Sequence, residues 1–595
     1  MFTMTLKPRR PWAGVALAAA CAATLSFGVQ AGGDERHSRL PRLAPAEPAA
    51  LVGTCESLLA RLAGMPSTNI TAASAVAAGT LMLAGQPVPA HCQVTGRMHE
   101  RVSPVDGKTY AIGFEMRLPL AWNGRFWHQG NGGIDGSVVT ATGALGGGPL
   151  TSALLQGFAV LSSDAGHTLA QGGPAFGFDP QARLDYGYQA VAKLTPMAKH
   201  SLALVYGKGP DRSYFGGCSN GGRHTLVAAA RYAEDYDGFL AGAPGYNLPL
   251  AALANIFGAQ RYATVATGDP STPPGLETAF TTTERKMLGN AVLARCDALD
   301  GVVDGLIQDT RACQRRFDLF RDVPTCPGAR DGTCLSQAQK IAIAPIFKGA
   351  HTSNGERFYA SFPYDSGIGA GGIPFWEFTA PLVLDSGAVG VIFKVPPSTL
   401  ALTNGPQFSL TSNIDVLLAE LFATSALYTE SAMSFMTPPD ATELNDVRRR
   451  GAKVMVYHGV SDPIFSVNDS AAWYRGVDRT SGGRASDFAR LYRVPGMGHC
   501  SGGPTADQAD FISPLVAWVE RGQAPAHIVA TARGVGNAGG VNAEVPATWA
   551  ANRTRPLCPY PSVARYKGHG DIEQAASFVC VGHDDDDHDH EHGHH

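Results

Sequence analysis

The chain has 595 residues, of which 44% are apolar and 16% charged, and its net charge is −4. That length allows several domains, or one large fold carrying an insertion, and the apolar content is ample for a sizeable core. No basic stripe accompanies the slightly acidic balance, which excludes nucleic acid as a partner.

Lys7, Arg9 and Arg10 precede an apolar stretch over residues 12–29, and Val29-Gln30-Ala31 has the small residues of a cleavage site. Residues 1–31 therefore read as a signal peptide, and the expected location is secreted or periplasmic. The stretch is short for a membrane span, and polar residues follow it at once. No later segment reads as transmembrane. Lipidation at Cys21 is a minor alternative, because Leu17 falls one position early for it. Strand-like runs follow at 110–118, 125–128 and 158–163, then a helix-like run at 188–206. A short strand at 213–215 leads into Gly217-Cys218-Ser219-Asn220-Gly221, helix resumes over 222–232, and 239–243 reads as the next strand.

Strands alternating with helices predict an α/β fold, a mostly parallel sheet covered on both faces. From 246 to about 446 the alternation breaks. That stretch is rich in Gly, Pro, Ser and Thr and reads as irregular. Alternation resumes with an apolar strand at 453–458, a strand at 489–494 and a helix at 512–521. The expected organisation is one catalytic domain over 32–245 and 446–582, interrupted by a lid at 246–445. The tail 583–595 holds six of the 18 histidines and reads as a solvated, disordered segment with scope for weak metal capture.

Eleven cysteines become ten once Cys21 leaves with the signal, and an even number in an exported chain reads as a disulfide set. Local pairs suggest themselves: Cys55 with Cys92, Cys296 with Cys313, Cys326 with Cys334, and Cys558 with Cys580. Cys218 and Cys500 are left over, one beside a serine and the other beside a histidine. Other connectivities remain open at this point.

A serine hydroxyl is a poor nucleophile until a base takes its proton. Ser219 lies between a strand and a helix, flanked by Gly217 and Gly221, as a nucleophile on a tight turn requires. In a glycine-rich chain that pattern also arises as an ordinary turn, so the weight rests on order. Asp462 follows the strand at 453–458 and His499 follows the strand at 489–494. Ser, Asp, His is the chain order of the α/β-hydrolase triad. In these roles Ser219 attacks an ester, His499 moves the proton, and Asp462 orients the imidazole. The amide of Asn220 is one expected oxyanion donor. The other belongs to the loop Gln129-Gly130-Asn131-Gly132-Gly133, with Gly133 favoured and Gly132 close behind.

These residues carry a resemblance. Cys218-Ser219, Asp462 and His499-Cys500 look like the paired-cysteine triad of the tannase and feruloyl esterase family. Residues 122–126, 236–238, 242–244, 494–497, 514–518 and 555–561 are similar to that family too. The resemblance implies an α/β-hydrolase fold with a large lid insertion between nucleophile and acid. It also implies five disulfides, with Cys218 bonded to Cys500 so that Ser219 is held beside His499, and hydrolysis of small aromatic esters of the feruloyl or galloyl type.

Within the family, the aspartate and histidine loops resemble those of enzymes that cleave mono(2-hydroxyethyl) terephthalate, which is the alternative substrate. Those enzymes use a lid arginine for the substrate carboxylate. No arginine occurs here over 375–397, where Lys394 is the one cation, and Asn220 replaces a glutamate. Phe375, Trp376 and Phe378 are candidates for an aromatic lid wall.

Asp297, Asp300 and Asp304 place hard oxygen donors on one short loop between Cys296 and Cys313, which suits calcium. The spacing is not that of an EF-hand. The resemblance implies that the backbone carbonyls of Val302 and Leu306 complete the set and that the ion is structural. Two other readings stand beside the esterase: an exported metal- or ligand-binding protein on the same fold, and a serine peptidase or acyltransferase. The oligomeric state is not legible.

Overall fold

The structure is a computed structural model, and it describes residues 40–582 apart from residue 149. The signal segment and the histidine-rich tail therefore lie outside the described residues.

A nine-stranded mixed sheet organises the molecule. In chain order its strands are β1 (Thr68–Val76), β2 (His91–Val102), β3 (Thr109–Pro119), β4 (Arg125–Gly130), β5 (Ala159–Ser163), β6 (Arg212–Cys218), β7 (Gly238–Gly242), β8 (Lys453–Gly459) and β9 (Ala489–Val494). Their order across the sheet is β9-β8-β7-β6-β4-β5-β3-β2-β1. From β9 to β5 every pairing is parallel. From β5 to β1 the pairings are antiparallel.

The central parallel strands are buried on both faces, and β8 shows this as an unbroken apolar run over residues 454–457. In β8, Val454 and Val456 enter one hydrophobic cluster with Leu194, Phe215 and Phe239. Met455 and Tyr457 enter the opposite cluster, with Trp127, Tyr214 and Trp518. The helices that cover these faces are α1 (Ala190–Tyr206), α2 (Asn220–Arg231), α6 (Val467–Thr480) and α7 (Ile512–Arg521).

The expectation of an irregular insertion is corrected. Between β7 and β8 lie α3 (Leu248–Ala263), α4 (Thr282–Cys296), α5 (Gln337–Lys348) and several shorter helices. Two of these start on capping boxes, Thr281 with Glu284 and Ser336 with Gln339. The short lid helices depend on tertiary packing, because isolated segments of that length are marginal. Tyr262, Leu288, Val292, Phe317 and Phe378 form a core that belongs to the insertion itself. Another cluster joins the insertion to the catalytic part through Phe257, Val389 and Phe408 against Phe176, Tyr186 and Phe465. Among the described residues no single helix is long and apolar enough to cross a membrane, although one bent pair, Phe375–Val383 with Asp385–Phe393, meets the length and composition together.

Asp385 lies buried in this lid core, with Asn255 Nδ2 donating to its Oδ2 at 3.2 Å. Burial pushes its carboxyl up to about 7, against the pull of Asn255. A folded-state value above the unfolded one means that the native state holds its proton more tightly. Stability is then lost as pH rises from about 4 to about 7 and changes no further above that. Asp385→Asn keeps an acceptor for Asn255 without the ionisation cost. The Tm advantage of the variant over wild type is expected to be smallest near pH 4 and largest above pH 7, as checked by thermal unfolding across that range.

Candidate active site

The chemistry gathers at the carboxyl ends of the parallel strands, where loops leave a sheet of this type. Ser219 follows β6 directly and sits at φ 65°, a left-handed conformation that costs roughly 1–3 kcal/mol in a non-glycine residue. Its N–H donates to the carbonyl of Gly242 at 2.9 Å. The tight turn needs glycines on both sides. A methyl group at Gly217 or at Gly221 would lie 2.3 Å from the Gly130 carbonyl oxygen.

The structure brings the three expected side chains together. His499 Nε2 lies 2.8 Å from Ser219 Oγ, and His499 Nδ1 lies 2.8 Å from Asp462 Oδ2. The tautomer with its proton on Nδ1 donates to Asp462 and leaves Nε2 to accept from the serine hydroxyl. Asp462 Oδ1 accepts from the N–H groups of Ile464 and Phe465, both at 3.0 Å. Burial opposes its ionisation, but the rings of His499 and His458 outweigh it and hold Asp462 well below the usual carboxylate range. The charge that orients the imidazole is therefore present throughout the range in which an esterase works.

All five cysteine pairs form as read: Cys55–Cys92, Cys218–Cys500, Cys296–Cys313, Cys326–Cys334 and Cys558–Cys580. Cys218–Cys500 bridges 282 residues with a Cα–Cα distance of 6.1 Å. It joins the residue before the serine to the residue after the histidine.

The expected oxyanion residues lie on two adjoining elements. Asn220 opens α2, where the first N–H groups of a helix have no partner within it. Gly132 packs against the nucleophile, since a methyl group there would lie 3.8 Å from Ser219 Cβ. Gly133 follows at φ 64° with open space in front of it. Of the three lid aromatics, Trp376 reaches the triad, its ring edge-on to His499 with centroids 4.8 Å apart. Phe378 instead packs in the lid core against Tyr262, and Phe375 is exposed. Lys394 is occupied: its ammonium donates to the Pro396 carbonyl at 2.6 Å and lies 3.2 Å from Glu420 Oε2.

Asp297, Asp300 and Asp304 share one turn. Asp297 accepts from the N–H groups of Asp304 and Gly305, and Asp304 pairs with Arg555. Asp300 Oδ2 is buried without a partner. Burial, then the neighbouring Asp304 and Asp297, push the Asp300 carboxyl up to about 8. Among the described residues no group of three or more His, Cys, Asp or Glu side chains is arranged to hold a metal ion. An all-side-chain site is therefore not what this turn offers. Its unpartnered Asp300 oxygen and three clustered carboxyl groups fit a hard cation whose remaining ligands are backbone carbonyls.

Several residues of the site were not read from sequence. Phe465 flanks His499 on a further side, with centroids 5.2 Å apart. His458 Nε2 lies 3.3 Å from Asp462 Oδ2 and 2.9 Å from the Phe465 carbonyl. From the lid, buried Asp365 Oδ2 accepts from Ser461 Oγ at 2.6 Å and from the Gly496 N–H at 2.8 Å. One lid carboxylate thus joins the loop that carries Asp462 to the loop that carries His499. Phe465 and His458 stand within four positions of Asp462 and could have been marked by that proximity, whereas nothing local marks Asp365.

A family model described as tannase and feruloyl esterase matches residues 92–581. The mono(2-hydroxyethyl) terephthalate hydrolase of Piscinibacter sakaiensis is 39% identical over 526 residues, 83% of this chain and 85% of that protein. A probable feruloyl esterase B-2 of Aspergillus terreus is 27% identical over 551 residues, 87% of this chain and 93% of that one. Among solved structures, feruloyl esterase B from Aspergillus oryzae superposes with a TM-score of 0.68 at 24% identity, covering 89% of this chain and 99% of its own. That structure carries the fold, an α/β hydrolase.

Asp365→Ala would leave Ser461 Oγ and the Gly496 N–H without their acceptor in a buried site, at a cost of about 1–3 kcal/mol. The variant is expected to show a lower Tm and a lower kcat than wild type, with the two catalytic loops loosened together. Thermal unfolding and steady-state kinetics check both effects.

Proposed function

The chain belongs to the tannase and feruloyl esterase family and is a carboxylic-ester hydrolase; from that premise we propose that it cleaves esters of aromatic acids, of the feruloyl and galloyl type, through Ser219, His499 and Asp462. The observation that carries the reading is the chain of two 2.8 Å contacts from Ser219 Oγ through the imidazole to Asp462.

In this mechanism Ser219 Oγ attacks the ester carbonyl while His499 Nε2 takes its proton. The tetrahedral oxyanion receives the Asn220 N–H and a second N–H from Gly133 or its neighbour Gly132. His499 returns the proton to the departing alcohol, which leaves an acyl-serine. Water, deprotonated by the same imidazole, then releases the acid. Asp462 stabilises the imidazolium at each step.

Two observations support an uncharged aromatic acyl group. Trp376 and Phe465 set aromatic walls against His499. The ammonium of Lys394, the one cation over 375–397, already faces Glu420 and Pro396 and is not offered to a substrate carboxylate. The Piscinibacter sakaiensis relative favours a second reading, hydrolysis of mono(2-hydroxyethyl) terephthalate. Initial rates on methyl ferulate, methyl gallate and mono(2-hydroxyethyl) terephthalate decide between them. The expected result is faster cleavage of the ferulate or gallate ester, and a preference for the terephthalate ester would overturn the argument from Lys394. Ser219→Ala is expected to lower kcat by at least about 10⁴-fold on every ester cleaved.

We further propose a structural calcium ion held by Asp297, Asp300 and Asp304 with the carbonyls of Val302 and Leu306. Bound there, it would offset the repulsion between the carboxylates and brace the turn closed by Cys296–Cys313. It lies in the insertion and takes no part in ester cleavage. A chelator is expected to lower the Tm, and added calcium to restore it; a Tm indifferent to both would contradict the site. Export is the third element of the proposal, supported by the leader sequence and by five disulfides, which persist in oxidising compartments.

A further inference from the structure

The two oxyanion donors stand on separate elements, the start of α2 and the loop that follows β4. Strand pairing between β4 and β6 ends at Gly130 opposite Gly217, before either donor is reached. Something else must fix their relative position, because an oxyanion hole is effective only when its donors are held to within about half an ångström.

The glycines that face the reacting centre, Gly132 and Gly133, are exposed, and the loop is pinned from beneath. Tyr186 Oη donates to the Gly133 carbonyl at 3.3 Å, and His167 Nε2 donates to the Ile134 carbonyl at 2.7 Å. Asp135 comes next, at φ 55°, with its own N–H donating to the Gly132 carbonyl at 3.2 Å. Its side chain is 2% exposed. Asp135 Oδ2 accepts from Asn220 Nδ2 at 2.8 Å and from His224 Nε2 at 2.9 Å, both on α2. At its other end, the Asn220 amide oxygen accepts from Arg223 Nε at 2.6 Å.

We propose that Asp135 is a positioning residue for ester hydrolysis, one that registers the glycine loop against the Asn220 N–H through the side chain of Asn220. The inference rests on the triad reading given above. The amide of Asn220 works as a two-ended connector, with a guanidinium donating to its oxygen and a carboxyl oxygen accepting from its nitrogen. Arg223 is itself anchored by the carbonyls of Gly187, Tyr186 and Met436, at 2.8, 2.9 and 3.2 Å. The connector is thus fixed to the body of the protein at one end and to the oxyanion loop at the other. The guanidinium end of the amide is a charge-assisted hydrogen bond, about twice as strong as a neutral one. Burial pushes the Asp135 carboxyl up to about 7, so the other end gains its charge as pH rises through neutrality, while Oδ2 accepts from the Asn220 amide in either state. Removing either Asp135 or the Asn220 side chain breaks the contact that runs through the amide; Asn220→Ala leaves the His224 bond to Asp135, and Asp135→Ala leaves the longer donation from Asn220 Nδ2 to the Asn131 carbonyl at 3.4 Å. The cost should fall on the transition state rather than on substrate binding.

The test compares wild type, Asp135→Ala, Asn220→Ala, the double variant and Ser219→Ala on p-nitrophenyl acetate. Affinity for phenylboronic acid, which forms a tetrahedral adduct on an active serine, is measured alongside. Each single variant is expected to lose about 10- to 100-fold in kcat, less than or comparable to the loss of a whole oxyanion donor, with KM changed less than about three-fold. Boronate affinity should fall by a similar factor. The double variant should lose clearly less than the product of the two single losses, because both substitutions remove the shared contact between Asn220 and Asp135. If Asp135→Ala does not fold, Asn220→Ala cuts the chain from the other end and is judged by the same thresholds. Single variants within two-fold of wild-type kcat, or losses that multiply in the double variant, would overturn the proposal. A Ser219→Ala enzyme as active as wild type would instead overturn the triad reading on which the proposal stands.

Discussion

The bond between Cys218 and Cys500 is the constraint on which the rest of the site depends. Ser219 and His499 stand 280 residues apart in the chain, with the whole lid insertion between them. Strand order alone brings their loops to the same edge of the sheet, but loops are the mobile part of any fold. Closing a separation of 282 residues removes about 5–6 kcal/mol of unfolded-chain entropy in the simplest polymer treatment. The same bond limits how far the imidazole can drift from a serine that is already held in a strained turn. A contact of 2.8 Å between Oγ and Nε2 tolerates little drift before proton transfer fails.

Around that bond the polar contacts form a connected framework. Asp462 is held by two backbone N–H groups and faced by two histidines. Asp365 joins the Asp462 loop to the His499 loop from the lid side. Arg223, Asn220 and Asp135 join α2 to the glycine loop from the opposite side. The insertion is therefore more than a cover. It supplies Trp376 to the site and Asp365 to its foundation.

Much of this was legible in the sequence where the signal is local or ordered. The strand Lys453–Gly459 announces itself because both of its faces are buried, so residues 454–457 form an unbroken apolar run. The triad was readable because chain order is preserved and each member follows a strand. The insertion was misread as irregular because most of its helices are short, and a longer one such as Thr282–Cys296 buries polar Glu284 and Arg285 beside Leu288 and Val292, which blurs its apolar stripe. Their stability comes from contacts such as Tyr262 with Phe378 that no local pattern reveals. The antiparallel strands Thr68–Val76 and His91–Val102 were missed because their outer faces are polar and interrupt the apolar run. Asp135 and Asp365 were invisible for a related reason. A single buried carboxylate has no sequence signature when its partners lie 85 or 131 positions away.

The most direct test of the account is the rate at which Ser219 is phosphonylated by a p-nitrophenyl phosphonate ester, followed by intact-protein mass, in wild type and in a folded Cys218→Ala/Cys500→Ala variant. The reaction needs the imidazole to take the serine proton, and it does not depend on knowing the natural substrate. The account predicts a single adduct on Ser219 in wild type and labelling slowed by at least about 10-fold in the variant, the loss expected when a catalytic base is no longer held in place. Equal labelling rates in the two proteins would contradict it.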